Sequence, residues 1–360
     1  MKIFAIVVEP ANYTLELIKN IYVARNVEYA FMRGASIAAN KRAKDCDVVL
    51  SQMSICKLVK YLWGKLKQCD VFVINGYTGK IPLIFIVLNQ IFFKKPFGIE
   101  SDTELIIPEH FFKRVLKWAY LHCLFGCENC FGLAGGNFGH KDLFRHYGMP
   151  ENRIFLLPMM VNNSLYQRKS LRQSHGGDFY FGYLGRLIPL KRVDKILDAF
   201  NMLLKEIPNI KMVVVGDGCC RGDLELRYKS ARVTFLGKLF GEEKVAFLQN
   251  LDCLILYSSY ESWGLVVNEA LAAGVPVIVS DRVGARRDLV AGDCPTGFVA
   301  RWDDTCDLAE RMKILATDID QYNIFEKNAQ ARMHWWNYEL YGKCLDEFIA
   351  CATTKVRGYK

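Results

Sequence analysis

No stretch of the 360 residues is long and apolar enough to suggest a membrane span. The strongly apolar uncharged run Ile81–Phe93 has thirteen residues and contains Pro82, Asn89 and Gln90, short of the ~20 that a bilayer requires. No apolar leader with a small-residue cleavage site precedes the first strand-like run, Lys2-Ile-Phe-Ala-Ile-Val-Val8, so the chain is expected to stay in the cytosol. The thirteen cysteines have no regular spacing and lie in apolar segments (Cys46, Cys69, Cys253, Cys344), where they read as reduced core thiols rather than a disulfide scaffold. The only CxxC, Cys127-Glu-Asn-Cys130, has no second ligand pair, since neither His122 nor Cys123 stands at finger-like spacing, and no metal is expected. No strand end carries GxGxxG. Gly216-Asp-Gly218-Cys-Cys-Arg221 puts an arginine where the third small residue of a dinucleotide turn would pack, which argues against a nicotinamide-dependent oxidoreductase. Internal repeats and low-complexity segments are also lacking.

What is present points to a folded α/β protein of two domains, since ~150 residues is the usual size of one. Val48–Leu50, Val71–Ile74 and Phe97–Ile99 read as strands of a first series, with helices at Leu15–Tyr22 and Ile55–Leu66. A second series runs through Phe179–Leu184, Lys211–Val215, Val233–Phe235, Cys253–Tyr257 and Val275–Val279. Alternation of this kind predicts two parallel sheets. The polar segment Asn162–Asp178 reads as a linker, giving domains at 1–170 and 178–334 and a last helix at about 335–352 that packs against one of them, the first being the candidate. Ligands of open parallel sheets bind at the carboxyl ends of the strands, so a cleft there is where chemistry is expected.

Charge divides unevenly. Residues 1–180 hold 23 Lys and Arg against 14 Asp and Glu, and residues 181–360 hold 24 against 24. The whole net charge of +9 thus belongs to the first half, which suggests an anionic surface met by that half alone.

Two constellations carry chemistry. In Gly182-Tyr-Leu-Gly185-Arg186-Leu-Ile-Pro189-Leu-Lys191 a strand runs into a glycine turn that delivers two cations near a helix start; fixed cations of this kind stabilise charge on a departing diphosphate. In Tyr257-Ser-Ser-Tyr260-Glu261-Ser-Trp-Gly264-Leu265-Val-Val-Asn-Glu269 two glutamates stand eight residues apart around the start of a helix. Each carboxylate can accept from vicinal hydroxyls, and the amides of Gly264 and Leu265 can meet a phosphate. The plain alternative makes Glu261 a helix-dipole partner and Glu269 a solvated helix residue.

Together with Phe235-Leu-Gly237, Ala273-Gly-Val-Pro276-Val and Gly297-Phe-Val, these segments closely resemble, over about 120 residues, the C-terminal domain of the family 4 retaining glycosyltransferases (group 1). The resemblance implies the GT-B fold, two Rossmann-like parallel-sheet domains facing a central cleft. It implies a nucleotide-sugar donor of the UDP or GDP type, with Arg186 and Lys191 on the diphosphate, Glu261 on the donor sugar and Glu269 on the ribose, and with Gly185, Gly216, Gly218, Gly264 and Leu265 lining the donor. It further implies transfer without metal ion or cofactor to a glycan or lipid-linked acceptor, in polysaccharide or glycolipid synthesis, with the leaving phosphate able to take the acceptor's proton.

The first half matches only in outline. Its first loop is Glu9-Pro-Ala-Asn-Tyr13 where the family often has glycines, and the strand end that often carries a histidine reads Gly98-Ile-Glu100-Ser-Asp102. Asn75, Glu100 and Asp102 are the acceptor-side candidates. In Ile55–Lys67 the apolar residues form one helical stripe with Lys57, Lys60, Lys65 and Lys67 outside it. The stripe reads as core, or else the lysines, with Lys113, Arg114 and Lys117, bring a peripheral protein to an anionic inner membrane face. Two rivals stand beside the transferase: a nucleotide-sugar 2-epimerase of GT-B fold, and a non-catalytic basic protein binding membrane or nucleic acid. The intact cation and glutamate pairs favour a donor site, and nucleic acid is not expected.

Overall fold

The computed structural model describes residues 1–34, 48–168 and 177–357. The chain divides into two compact units, Met1–Met159 with Tyr338–Lys360, and Met160–Asn337.

In the first unit six strands, β1 (Ile3–Val7), β2 (Val27–Phe31), β3 (Val71–Asn75), β4 (Phe97–Ser101), β5 (Cys130–Ala134) and β6 (Ile154–Leu156), form a parallel sheet of order β2-β1-β3-β4-β5-β6. Strands such as Ile3-Phe-Ala-Ile-Val7 and Cys130-Phe-Gly-Leu-Ala134 are buried at every position, as a sheet covered on both faces requires. Helices α1 (Asn12–Leu17), α2 (Ile55–Gln68), α3 (Lys80–Leu88), α4 (Phe111–Gly126) and α5 (Gly139–His146) lie between the strands. Side chains of α2 to α5 share one core cluster with the strands, among them Leu62, Phe85, Phe125 and Phe144. That cluster fits crossovers of one hand that lay their helices on one face of the sheet.

The predicted strand at Val48–Leu50 is reduced to a single bridge from Val49 to Phe31 followed by a 3-10 turn, Leu50–Gln52. The edge partner here is β2, whose alternating Val27-Glu-Tyr-Ala-Phe31 was not among the predicted strands.

The second unit has its own parallel sheet, from β7 (Phe179–Leu184), β8 (Ile210–Val215), β9 (Val233–Gly237), β10 (Cys253–Leu256), β11 (Val277–Ser280) and β12 (Gly297–Ala300), in the order β12-β11-β10-β7-β8-β9. Helices α6 (Val193–Leu203), α7 (Arg221–Tyr228), α8 (Gly241–Gln249), α9 (Leu265–Ala272), α10 (Thr305–Thr317) and α11 (Ile319–Trp335) follow their strands. The chain runs outward from β7 to one edge and then returns to start at β10, so the strand order reverses between β7 and β10. The loops leaving those two strands flank the point where open α/β sheets bind ligands.

The break between units falls at Met159/Met160 rather than past residue 170. Asn162–Arg168 is polar, yet it is bound into the second unit. Asn163 donates from Nδ2 to the carbonyls of Met333 and Trp336 at 2.8 and 2.9 Å. Arg168 donates to the carbonyls of Gln249 and Leu251 and pairs with Glu326. At the far end the chain returns to the first unit as α12 (Tyr338–Arg357). There Phe348 packs edge-on to Phe131 and Phe155, and Asp346 takes a two-pronged hydrogen bond from Arg25 at 2.9 and 2.8 Å.

Candidate functional site

The loop leaving β7 is set by main chain. The Gly185 amide donates to Val215 O and the Leu187 amide to Asp217 O, so the loops after β7 and β8 run side by side. Their closeness explains two of the predicted glycines: a Cβ on Gly216 would stand 1.7 Å from Gly185 O, and one on Gly218 would stand 2.3 Å from Leu187 O. The buried Tyr183 hydroxyl supports the turn by donating to Arg186 O at 2.8 Å. Arg186 itself points its charge outward, exposed and without an ion pair among the described residues. Lys191, at the end of the 3-10 turn Pro189–Lys191, is buried.

Lys191 is held by the other loop. The Ser259 amide donates to Leu190 O at 2.9 Å, and the Lys191 ammonium pairs with Glu261 Oε2, which Ser258 Oγ also approaches at 3.5 Å. Glu261 is fixed in turn through its backbone, its amide donating to Arg282 O and its carbonyl accepting from Gly284 N. The second cation of one sequence motif and the first glutamate of the other, seventy residues apart, are thus direct partners. Gly264 starts α9 in the left-handed region at φ +95°, with no side-chain cap, leaving the amides of the first turn, Leu265 among them, at a positive helix end.

Glu269 lies one turn into α9 and is buried. Its Oε1 accepts from the Tyr166 hydroxyl at 3.0 Å and from Lys244 Nζ at 2.5 Å. Glu269 is therefore a held, paired carboxylate and not a solvated helix residue. Neither Tyr166 nor Lys244 was found from the sequence. They reach Glu269 across 103 and 25 residues, and no spacing rule links them to it. A separate cavity of about 310 Å³ is lined by Ile188, Arg192, Cys220 and Arg227 among others, but by none of Arg186, Lys191, Glu261 or Glu269.

In the first unit Asn75, ending β3, donates from Nδ2 to Glu100 Oε2 at 3.1 Å, and Gly76 N donates to Glu100 O at 2.8 Å. Burial, opposed by the Asn75 hydrogen bond and reinforced by Asp102, pushes the Glu100 carboxyl up to about 7. Burial likewise raises the Tyr13 phenol, with Glu100, Asp102 and Glu9 adding to the effect. The three acceptor-side candidates thus belong to one acidic neighbourhood at the carboxyl ends of β3 and β4. On α2 the stripe is core, with Leu58, Leu62 and Leu66 buried. Lys65 is occupied by Glu28 at 2.6 Å, while Lys57, Lys60 and Lys67 are exposed. Cys127 and Cys130 are free thiols whose titration burial raises. Among the described residues no three His, Cys, Asp or Glu side chains group as a metal site would need, and no helix is long and apolar enough to cross a membrane.

Residues 167–332 match the family of glycosyl transferases group 1, so the second unit is a domain of that family. Among curated relatives, the sulfoquinovosyl transferase SQD2 of Arabidopsis thaliana is 28% identical over 167 residues, 46% of this chain and 30% of its own length. A GDP-mannose-dependent alpha-mannosyltransferase of Mycolicibacterium smegmatis is 32% identical over 155 residues, 43% of this chain and 39% of its own length. The matches therefore span less than half the length of these relatives. Among solved structures, Anabaena Alr3699/HepE in complex with UDP superposes with a TM-score of 0.77 at 19% identity, covering 97% of this chain and all of that one. At that identity the likeness is one of fold, and the two Rossmann-like units are those of the GT-B architecture.

Proposed function

We propose that the chain transfers a sugar, with retention of anomeric configuration and without a metal ion, from a nucleoside-diphosphate sugar to a glycan or lipid-linked acceptor. The observation that carries the reading is the meeting of the β7 and β10 loops at the strand-order reversal: an exposed arginine, a lysine held on a glutamate, and an uncapped helix start within one unit. Such a group offers fixed positive charge to a leaving diphosphate. Glu261 spends one oxygen on Lys191, and a sugar hydroxyl is a fitting partner for the other. Glu269, whose Oε1 is held by Tyr166 and Lys244, is the carboxylate we assign to the vicinal hydroxyls of a ribose. The complex of Alr3699/HepE with UDP and the GDP-mannose dependence in the name of the mycobacterial relative support a nucleotide-sugar donor and leave its base open.

No strong protein base is required in this mechanism, because the leaving phosphate can accept the acceptor's proton on the face it departs from. Glu100, raised by burial to about 7, is about half protonated at neutral pH and in its acid form can hydrogen-bond an acceptor hydroxyl. A peripheral position at an inner membrane face, in polysaccharide or glycolipid synthesis, fits the basic first half and a lipid-linked acceptor. The test is a panel of UDP and GDP sugars assayed for release of nucleoside diphosphate with and without chelator, followed by NMR assignment of the anomeric product. Release from one donor class, unaffected by chelator and giving the retained anomer, is expected. An inverted product, or dependence on a divalent ion, would overturn the mechanism.

A further inference from the structure

Helix α4 is apolar both where it is buried and where it is exposed. In its last turns Leu121, Leu124 and Phe125 are buried in the core of the first unit. In its first turns Phe111, Phe112, Val115, Leu116 and Trp118 are open to solvent, Phe112 by 79% and Leu116 by 71%. At 100° per residue these five fall within an arc of about 160°. Lys113 and Arg114 sit at its two borders, and no Asp or Glu occurs anywhere in Phe111–Gly126. Leu83 and Val87 of helix α3, and Ile91 in the turn that follows it, are also exposed, and the exposed Lys94 comes next.

Exposed apolar side chains gathered in this way mark a docking site, and the charge around them decides for what. An apolar arc with lysine and arginine along its edges and no acid on the helix lets side chains enter the acyl boundary while the cations reach headgroup phosphates along their apolar stems. The first half of the chain, with 23 cationic against 14 anionic residues, adds the long-range attraction. We propose that the outer faces of α3 and α4 are the surface by which this protein lies on an anionic lipid bilayer, the two helices resting in its interface. The predicted surface on α2 has a different part, since its stripe is core and Lys65 is engaged with Glu28.

The proposal rests on the first unit and is tested without any donor, so its outcome is independent of the transfer reaction. The full chain is co-sedimented with vesicles of phosphatidylcholine alone and of phosphatidylcholine with about 40% phosphatidylglycerol, at low and high salt. Binding is expected to the anionic vesicles and to weaken with salt. The double variant Phe112→Ser/Leu116→Ser should lower the partition at least about tenfold. Lys113→Gln/Arg114→Gln should lower it about tenfold and Lys57→Gln/Lys60→Gln by less. All three should melt with the parent, because every changed side chain is at the surface. Two results would overturn the proposal: a parent chain that remains in the supernatant with anionic vesicles, or a Phe112→Ser/Leu116→Ser variant that binds as the parent does. If the parent instead self-associates in sedimentation velocity and that variant does not, the face joins two copies of the chain.

Discussion

The two sheets of this protein share a strand count and a parallel sense and differ in how their carboxyl ends are furnished. In the second unit the loops at the reversal are laid backbone on backbone, and Lys191 is paired with Glu261 and Lys244 with Glu269, while Arg186 stays exposed. In the first unit the reversal falls between β1 and β3, and the end of β4 carries Glu100, whose titration is raised by burial and further by Asp102, with Asn75 its hydrogen-bond partner. One end is fixed by main chain and by paired charges. The other holds a carboxyl, Glu100, whose state follows pH. That difference can be broken experimentally from either side.

The largest effect is expected from Gly216→Ala, which places a methyl against Gly185 O at a backbone φ of +141°. Thermal melting should report a loss of about 4 kcal/mol confined to the second unit; a near-parental Tm would mean that the two loops part easily. Arg186→Ala comes next. As an exposed residue it should leave the Tm unchanged while kcat falls about a hundredfold, a loss of ~3 kcal/mol of transition-state stabilisation. Lys191→Ala should match it in kcat but also lower the Tm, because Glu261 loses its partner.

In the first unit Glu100→Gln should act through pH. With its folded titration raised from 4.5 to about 7, Glu100 favours the fold only while protonated. Its contribution is full below pH 4.5 and is lost as pH rises through 7. The variant should therefore melt with the parent near pH 4.5 and be more stable than it at pH 8, on the order of 2 kcal/mol; a difference that is the same at both values would show that burial does not govern this carboxyl. The smallest effect is expected from Glu269→Gln, about 1 kcal/mol seen as a several-fold rise in KM for the donor with kcat little changed.

The sequence was most readable where one segment carries the whole signal. β7, β8 and β10 are apolar runs with the motif residues close behind them, so the second sheet could be read from the alternation of segments, and the donor-side candidates from the resemblance those motifs carry. Tyr166 and Lys244 could not, since only the folded chain brings them to Glu269. The segment 162–168 misled because polarity was read as freedom, whereas Asn163 and Arg168 use their polarity to tie that stretch to carbonyls of the second unit.

The return of the chain as α12 has a consequence for how the protein is made. The first unit begins the chain and is finished last, because Phe348, which packs on Phe131 and Phe155, leaves the ribosome only after Met160–Asn337 has been synthesised. At ~5–20 residues per second that interval is roughly 10–35 s. During it the nascent sheet of residues 1–159 waits with the α12 side of β5 and β6 uncovered, while the second unit, complete in itself, is free to fold. The newborn chain thus passes through a species with one finished unit and one open apolar flank, and it is in that window that a chaperone would find it.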